Sequence, residues 1–379
     1  MDIKSVEVYR NEFPVVKNHV YLDHAGVAPV SQRVVRAVQQ FMTESADGGA
    51  FHYPEWITRI ASARQNAARL INADIDEIAF VKSTSHGLSI VAEGLTWQEG
   101  DNVIVYEKEF PSNLFPWLNL KRKGVETRFI PFSSGRILID DIASRMDKRT
   151  RIVSISSVQF TNGFRVDISR LGSLCRERGI FLCVDAIQSL GVIPMDVKRY
   201  QIDFLSADGH KWLLGPEGIG IFYCRKELVE LLAPSIVGWK SVENEFEFER
   251  PELRFKKTAQ RFEEGSQNVM GILGLGAAIE LLLDVGIETV QDRVQGLGDM
   301  IIREAMARGF IVLTPNERAE RGGIITVKGN FDPVMYCDVL KKQGIIVNAR
   351  AGGLRVSPHF YTIEEEIQCF FEMLGRLTG

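Results

Sequence analysis

The stretch that decides the fold is VDAIQSLG (184–191) followed by DFLSADGHKWLLGPEGIG (203–220). The first part ends an apolar, β-branched run, IFLCVDA (180–186), in a lone carboxylate at Asp185. The second part begins with another such run, DFLSA (203–207), and passes through a turn that carries His210 and Lys211. The turn closes on Gly215, Pro216, Gly218 and Gly220, leading into a third run, GIGIFYC (218–224). Runs this short and this continuously apolar read as strands buried on both faces. A carboxylate at the rim of such a sheet must find a partner to offset its desolvation.

The same rhythm continues upstream. IAFVK (78–82), NVIVYE (102–107) and RIVSIS (151–156) also read as strands, and amphipathic stretches such as DISRLGSLCRERG (167–179) lie between several of them. Strand–helix alternation predicts an α/β fold, a mostly parallel sheet covered by helices on both faces, with ligands gathering at the carboxyl ends of the strands. After about residue 258 the pattern changes. VMGILGLGAAIELLLDVG (269–286) and QDRVQGLGDMIIREAMARG (291–309) read as helices, and FIVLTP, GGIITVKG and IIVNAR as strands of a smaller α+β domain. The expected division is a large domain over 20–258 and a small domain from 1–19 with 259–379. The polar stretch 240–262 reads as a mobile surface loop.

Composition narrows the function classes. The chain has 379 residues, enough for two domains, with 45% hydrophobic and 25% charged residues and a formal net charge of −4. That balance offers no basic face for nucleic acid or an anionic membrane. MDIKSVEVYRNEF has no basic segment leading into an apolar one, and no run approaches the roughly 18 apolar residues of a membrane span, so a cytoplasmic protein is expected. The five cysteines are scattered without a CxxC pair, which suits a reducing compartment and predicts neither disulfides nor a metal site. Cys183, inside IFLCVDA, reads as a small buried apolar residue.

Taken singly, a lysine in a glycine-rich turn is an ordinary surface residue. A lysine able to form a Schiff base together with a carboxylate able to hold a ring nitrogen protonated is what pyridoxal phosphate asks of a protein. YLDHAGVAPVS (21–31), STSHGLSIVAEGL (83–95), EFPSN (109–113), VDAIQSLG, SADGHKWLLGPEGIG, RFEEGSQN (261–268) and LRVSPHFYTIEEEI (354–367) occur in the order and at about the spacing of the class V aminotransferase family. The resemblance covers nearly the whole chain. It implies fold type I, a pyridoxal 5'-phosphate cofactor, a small amino-acid substrate and a homodimer with shared active sites. Its cysteine desulfurase-like and epimerase-like branches are the most similar.

Carried across, the resemblance makes Lys211 the lysine that bonds the cofactor, Asp185 the partner of the pyridine nitrogen and Gln188 a hydrogen-bond partner of the phenolic oxygen. His210 precedes the lysine, and Gln159 in SSVQFTNG resembles an amide near the phenolic edge. Phe110 stands where desulfurases of the family carry a histidine over the ring; it can stack but cannot transfer a proton. Thr84 and Ser85 open a predicted helix whose positive end suits a phosphate, although a capped helix end without a ligand reads the same way. Asp208 stands where the family usually has a small phosphate-binding hydroxyl and would repel the phosphate, so Ser206 or another donor is the expected substitute. Ser266 is expected to reach the phosphate of the neighbouring subunit. Arg355 matches the substrate-carboxylate arginine, with Arg350 as the fallback and His24 and Ala25 beside the substrate. Thr362 and Glu365 form a capping-box pattern before the last helix.

One departure narrows the chemistry. Family desulfurases carry a catalytic cysteine on a loop just before the substrate arginine, whereas NARAGGLRVS (348–357) has no cysteine and little room for that loop. Cys337 and Cys369 are not obvious replacements. Transamination of a small amino acid is therefore the leading expectation, with C–S cleavage, desulfuration and epimerisation sharing the same apparatus. A nicotinamide-dependent oxidoreductase would need a GxGxxG after an early strand, which is absent. A non-catalytic scaffold would have no use for Lys211 and Asp185 together.

Overall fold

The computed structural model describes residues 3–131 and 135–378. Its centre is a seven-stranded sheet built from β1 (Ile78–Val81), β2 (Asn102–Tyr106), β3 (Glu126–Ile130), β4 (Thr150–Ser156), β5 (Phe181–Asp185), β6 (Phe204–Asp208) and β7 (Gly220–Cys224). The spatial order is β1-β7-β6-β5-β4-β2-β3, parallel throughout except for β7, which runs antiparallel to both neighbours. Adjacent residues on one strand feed different cores. Val103, Val105, Cys183 and Phe204 pack on one side, Ile104, Tyr106, Val184 and Leu205 on the other. With both faces buried, these strands have no polar side to alternate with. β3 escapes the sequence pattern because it lies at the sheet edge, where ETRFI leaves most of its side chains partly solvated.

The smaller sheet contains β8 (Ile311–Val312), β9 (Ile325–Lys328), β10 (Asn348–Arg350) and β11 (Gly353–Val356), antiparallel in the order β10-β11-β9-β8. Its core holds Leu297, Ile301, Leu340, Phe370 and Phe371 from helices Ile287–Ala307, Pro333–Lys342 and Glu364–Thr378. The run IIVNAR divides. Ile345–Ile346 pairs in parallel with Val20–Tyr21, and only Asn348–Arg350 joins the sheet. The last helix is also capped one residue later than expected. Glu366, not Glu365, accepts the Ile363 N–H at 3.0 Å, while the Thr362 hydroxyl takes the His359 N–H at 3.1 Å.

Helix Val269–Val285 falls after the sequence division at 258/259 but packs with the large sheet. Its Leu275, Ile279 and Leu282 belong to the same core as Ile104 and Val184. A Cβ on Gly276 would sit 2.6 Å from that of Ala63, so a small residue allows close approach to helix Tyr53–Leu70. The chain then bends by 79° into helix Ile287–Ala307, and we propose Gly286 as the domain boundary. No single helix among the described residues is long and apolar enough to cross a membrane. The stretch 240–262 folds back on itself instead of running loose: Val242 bridges Phe255, Lys256 pairs with Glu245, and Ser241 is fully buried.

The element that matters most for the site is helix Thr84–Gly94, which follows β1 and is capped by Ser83, whose hydroxyl accepts the His86 N–H at 3.2 Å. It rides directly on β6. A Cβ on Gly87 would lie 2.2 Å from Ser206 Oγ, a hydroxyl that donates to the Thr84 carbonyl at 3.2 Å. Gly87→Ala should therefore cost about 1–3 kcal/mol by overpacking, measured by urea denaturation, and Ser206→Gly should recover most of that loss. Full stability of Gly87→Ala alone would contradict this packing.

Candidate active site

Lys211 sits just beyond β6 in a turn pinned by the Gly209 N–H to Ile219 O (2.8 Å) and the Gly215 N–H to Gly209 O (2.9 Å). The turn reverses through left-handed backbone at Leu214 (φ +59°) and Gly218 (φ +80°). The lysine Nζ lies 5.4 Å from the centroid of Phe110, which packs edge-on against Phe160. Burial lowers the Lys211 pKa to about 8, while Asp185, Asp208 and Asp23 pull it up and Arg355 pushes it further down.

Asp185 ends β5 and is buried. Its Oδ1 accepts the Ile187 N–H at 3.0 Å, and its Oδ2 is buried without a partner. Desolvation raises its pKa to about 6, against the pull of the Ile187 N–H and of Lys211. On the neighbouring strand Ser156 is in register with Asp185. There a second buried carboxyl, Glu109, accepts the Ser156 N–H at 2.7 Å, the Ser156 hydroxyl and the Gln159 amide at 3.4 Å. Desolvation raises Glu109 to about 7, with Asp185 adding to the rise. Gln159 keeps a buried, unpartnered Oε1. Sequence reading missed Glu109, which in YEKEF looks like one more surface acid.

Gln188 bridges the two halves of the site. Its oxygen accepts the Trp212 indole N–H at 2.9 Å and its amide donates to Ala25 O at 3.1 Å, leaving one amide hydrogen. Ala25 is held at both ends, because its N–H goes to Ser357 Oγ at 3.1 Å. Nearby, the Ala28 N–H caps the His210 carbonyl at 2.8 Å. Both nitrogens of His24 are committed, Nδ1 to Ser357 O at 2.8 Å and Nε2 to the Tyr361 hydroxyl at 2.6 Å, and the ring is fully buried. Burial pushes its pKa well below the usual value. His24 therefore has nothing to offer a substrate and serves the packing instead, a correction to the expectation.

Arg355 is buried on β11, donating to Asp23 Oδ1 at 3.1 Å and to Phe160 O at 3.2 Å, with its Nε buried and unpartnered. Asp23 is fixed in turn by Asn348 at 3.0 Å. Arg350 does not join this group: it is exposed and donates to the adjacent Ala349 O at 2.8 Å. β10 and β11 are linked by Ala351 (φ +52°) and Gly352 (φ +73°), a left-handed hairpin turn that leaves no loop between Arg350 and Arg355.

At the helix end, Thr84 Oγ1 accepts the Asp208 N–H at 3.0 Å, and Ser85 donates to Ser112 at 2.8 Å. Ser206 is fully buried under the helix with its hydroxyl on Thr84 O, so it does not replace the hydroxyl expected at this corner. Asp208 occupies the corner itself. Ser266 is exposed and lines a cavity of about 200 Å³ with Lys82, His86 and Gly218 of the same chain.

The donor set fits pyridoxal phosphate on one physical ground above all: a buried carboxylate oxygen with no partner lies within electrostatic reach of a lysine held near neutrality. A protonated ring nitrogen would satisfy it. This combination defines a fold type I pyridoxal-phosphate enzyme. The model of the class V aminotransferases matches residues 20–370. A probable cysteine desulfurase of Methanothermobacter thermautotrophicus is 30% identical over 98% of both chains. The uncharacterized aminotransferase YcbU of Bacillus subtilis is 28% identical over 96% of this chain and 95% of its own. The apo cysteine desulfurase of Thermococcus onnurineus superposes with a TM-score of 0.91 at 25% identity, covering 98% of this chain and 97% of that one. The chain belongs to the class V aminotransferase family and is a pyridoxal-phosphate-dependent enzyme.

The two raised carboxyls set a pH dependence for the cofactor-free protein. With folded values of about 6 and about 7, the folded chain keeps protons that the unfolded chain releases near pH 4. Their contribution to stability is complete below about pH 4 and lost as pH rises through 6 to 7. Glu109→Gln should therefore flatten the stability profile between pH 5 and 7.5 in urea denaturation. A difference between wild type and variant that is constant with pH would contradict the assignment.

Proposed function

We propose that the protein transaminates a small α-amino acid, and that the unpartnered Oδ2 of Asp185 beside Lys211 is the feature that makes this possible. When bound, pyridoxal phosphate supplies the electron sink for the electron pair released at Cα. Lys211 anchors the cofactor, and once freed it moves the Cα proton; a buried amine held near pH 8 is suited to that task. Asp185 holds the ring nitrogen protonated. Phe110 covers a ring face, the remaining Gln188 hydrogen and Gln159 serve the phenolic edge, and Thr84 and Ser85 with their helix end receive the phosphate. Arg355 takes the substrate carboxylate with its free Nε and remaining N–H groups, while Asp23 and Phe160 O hold the guanidinium in place. Ser266 would serve a partner subunit's phosphate in a cytoplasmic homodimer.

C–S cleavage is the second reading, favoured by the 30% identity to a probable cysteine desulfurase. The version that stores sulfur on a protein cysteine is disfavoured by the tight turn at Ala351–Gly352 and by Cys337, whose thiol burial pushes up to about 11. Incubating the holoenzyme with a panel of amino acids separates the readings. Transamination yields the amine form of the cofactor and a 2-oxo acid, whereas C–S cleavage releases sulfide. Mass spectrometry after incubation with cysteine should find no added sulfur on Cys337 or Cys369, and a persulfide on either would overturn that part of the proposal.

Lys211→Ala should lose the borohydride-reducible link to the cofactor while remaining folded. Asp185→Asn should still bind cofactor but lose at least about a hundredfold in turnover, the scale expected for removing a preorganised electrostatic partner. Near-normal turnover in Asp185→Asn would refute its role.

A further inference from the structure

We propose that the cavity beside the start of helix Ile168–Glu177 is a second ligand site, apart from the Lys211 site, which takes a monocarboxylate with an apolar body and anchors it on Arg165. The cavity holds about 460 Å³, within the roughly 300–1,000 Å³ typical of small-molecule sites. The buried side chains of Ile137, Ile139, Phe164, Ile168, Ile193 and Met195 line it. An apolar body seated among them leaves water, which favours binding. Ala319 and Glu320, from beyond Gly286, also line the cavity. None of the residues assigned above to cofactor or substrate does.

Charge selects the head group. Arg165 lines the same cavity and is half-buried, yet its side chain makes no hydrogen bond or ion pair among the described residues. Burial lowers its pKa, while Tyr200 and Asp167 pull it up from beyond bonding distance. The other charged groups lining the cavity are occupied. Arg170 pairs with Asp140 at 2.9 Å, Glu320 with Arg136 at 2.8 Å, and Asp167 caps the helix by accepting the Arg170 N–H at 3.0 Å. A guanidinium drawn partly out of water without a partner is costly, and a carboxylate matches its planar fork. The Tyr200 hydroxyl, which also lines the cavity and has no hydrogen bond among the described residues, offers a further donor. The carboxylates of Asp167 and Glu320 oppose a second negative charge, so a monoanion fits better than a phosphate dianion. A cation has no free counter-charge to meet.

The site backs onto the active site without sharing a side chain with it. Ser157 and Ser189 line the cavity with their hydroxyls 2.6 Å apart. The Ser157 N–H donates to Asp185 O at 3.0 Å, and Ser189 Oγ donates to Ala186 O at 3.1 Å. A ligand there touches the serines that hold the segment carrying Asp185 and Gln188.

Calorimetric titration of the holoenzyme with 3-phenylpropanoate and with its uncharged amide tests the site. An Arg355→Gln background removes the arginine assigned to the substrate carboxylate. In that background the acid should bind at one equivalent per chain, about tenfold or more tighter than the amide, the scale of a hydrogen bond to a charged group. Arg165→Met keeps the apolar stem and should abolish the preference for the acid. Leu138→Trp, at a half-exposed lining position, should weaken acid and amide alike by filling the opening. Circular dichroism checks the fold of each variant. A titration with Arg355 intact guards against a defect in Arg355→Gln: wild type should hold one more equivalent of acid per chain than Arg165→Met. Equal binding of acid and amide, or a preference that survives Arg165→Met, overturns the proposal. So does unchanged binding in Leu138→Trp. Absence of saturable binding in Arg355→Gln together with no extra equivalent in wild type, as when a second copy of the chain covers the cavity, overturns it too. All these outcomes leave the transamination reading standing, because the site rests on none of its residues.

Discussion

A carboxylate buried at the end of a parallel strand with one oxygen unpartnered is the constraint around which this molecule is organised. Asp185 cannot be solvated there, and its backbone partner at Ile187 satisfies only half of it. Burial moves the carboxyl toward its neutral form despite the pull of Lys211. In the proposed function a cationic ring N–H would reverse this shift, so that the burial that is costly in the empty protein would favour binding of the ring. Glu109, one strand away, intensifies the effect: two buried acids in one corner make a positive charge there worth more than either would alone.

The surrounding architecture keeps this corner dry and aligned. The segment 23–28 lies across the join between large and small domains. Asp23 binds Arg355, Ala25 is held by Ser357 and Gln188, and Ala28 caps the carbonyl of His210. The aromatic and imidazole rings of His24, Trp212, His359 and Tyr361 pack against one another beneath it. Arg355 and Lys211 therefore share a scaffold, although they follow strands of different sheets. A change in domain position would be felt at Lys211 through the Ala28–His210 bond as well as at Arg355.

Much of this was legible in the sequence, for a physical reason. Strands buried on both faces are continuous apolar runs, and the turn around Lys211 is left-handed at Gly218 and packs too closely at Gly209 and Gly220 for a side chain, so IFLCVDA and GHKWLLGPEGIG announced themselves. β3 did not, because an edge strand mixes polar and apolar residues. Helix Val269–Val285 was grouped by sequence with the small-domain elements because an evenly apolar helix does not say which sheet it will cover, and it packs with the large one. His24 shows the limit of such reading: sequence identifies a polar residue near the site but not whether its hydrogen bonds are already taken. Glu109 was invisible until the fold brought Ser156 and Gln159 to it, and Ser206 looked available until helix Thr84–Gly94 closed over it.

The most direct test of the central claim is the nitrogen-15 NMR shift of the cofactor ring nitrogen, labelled and bound in the folded enzyme, followed from pH 6 to 9. The account predicts a protonated ring nitrogen throughout that range in the wild type and its loss in Asp185→Asn. An unprotonated ring nitrogen in the wild type at neutral pH would contradict it.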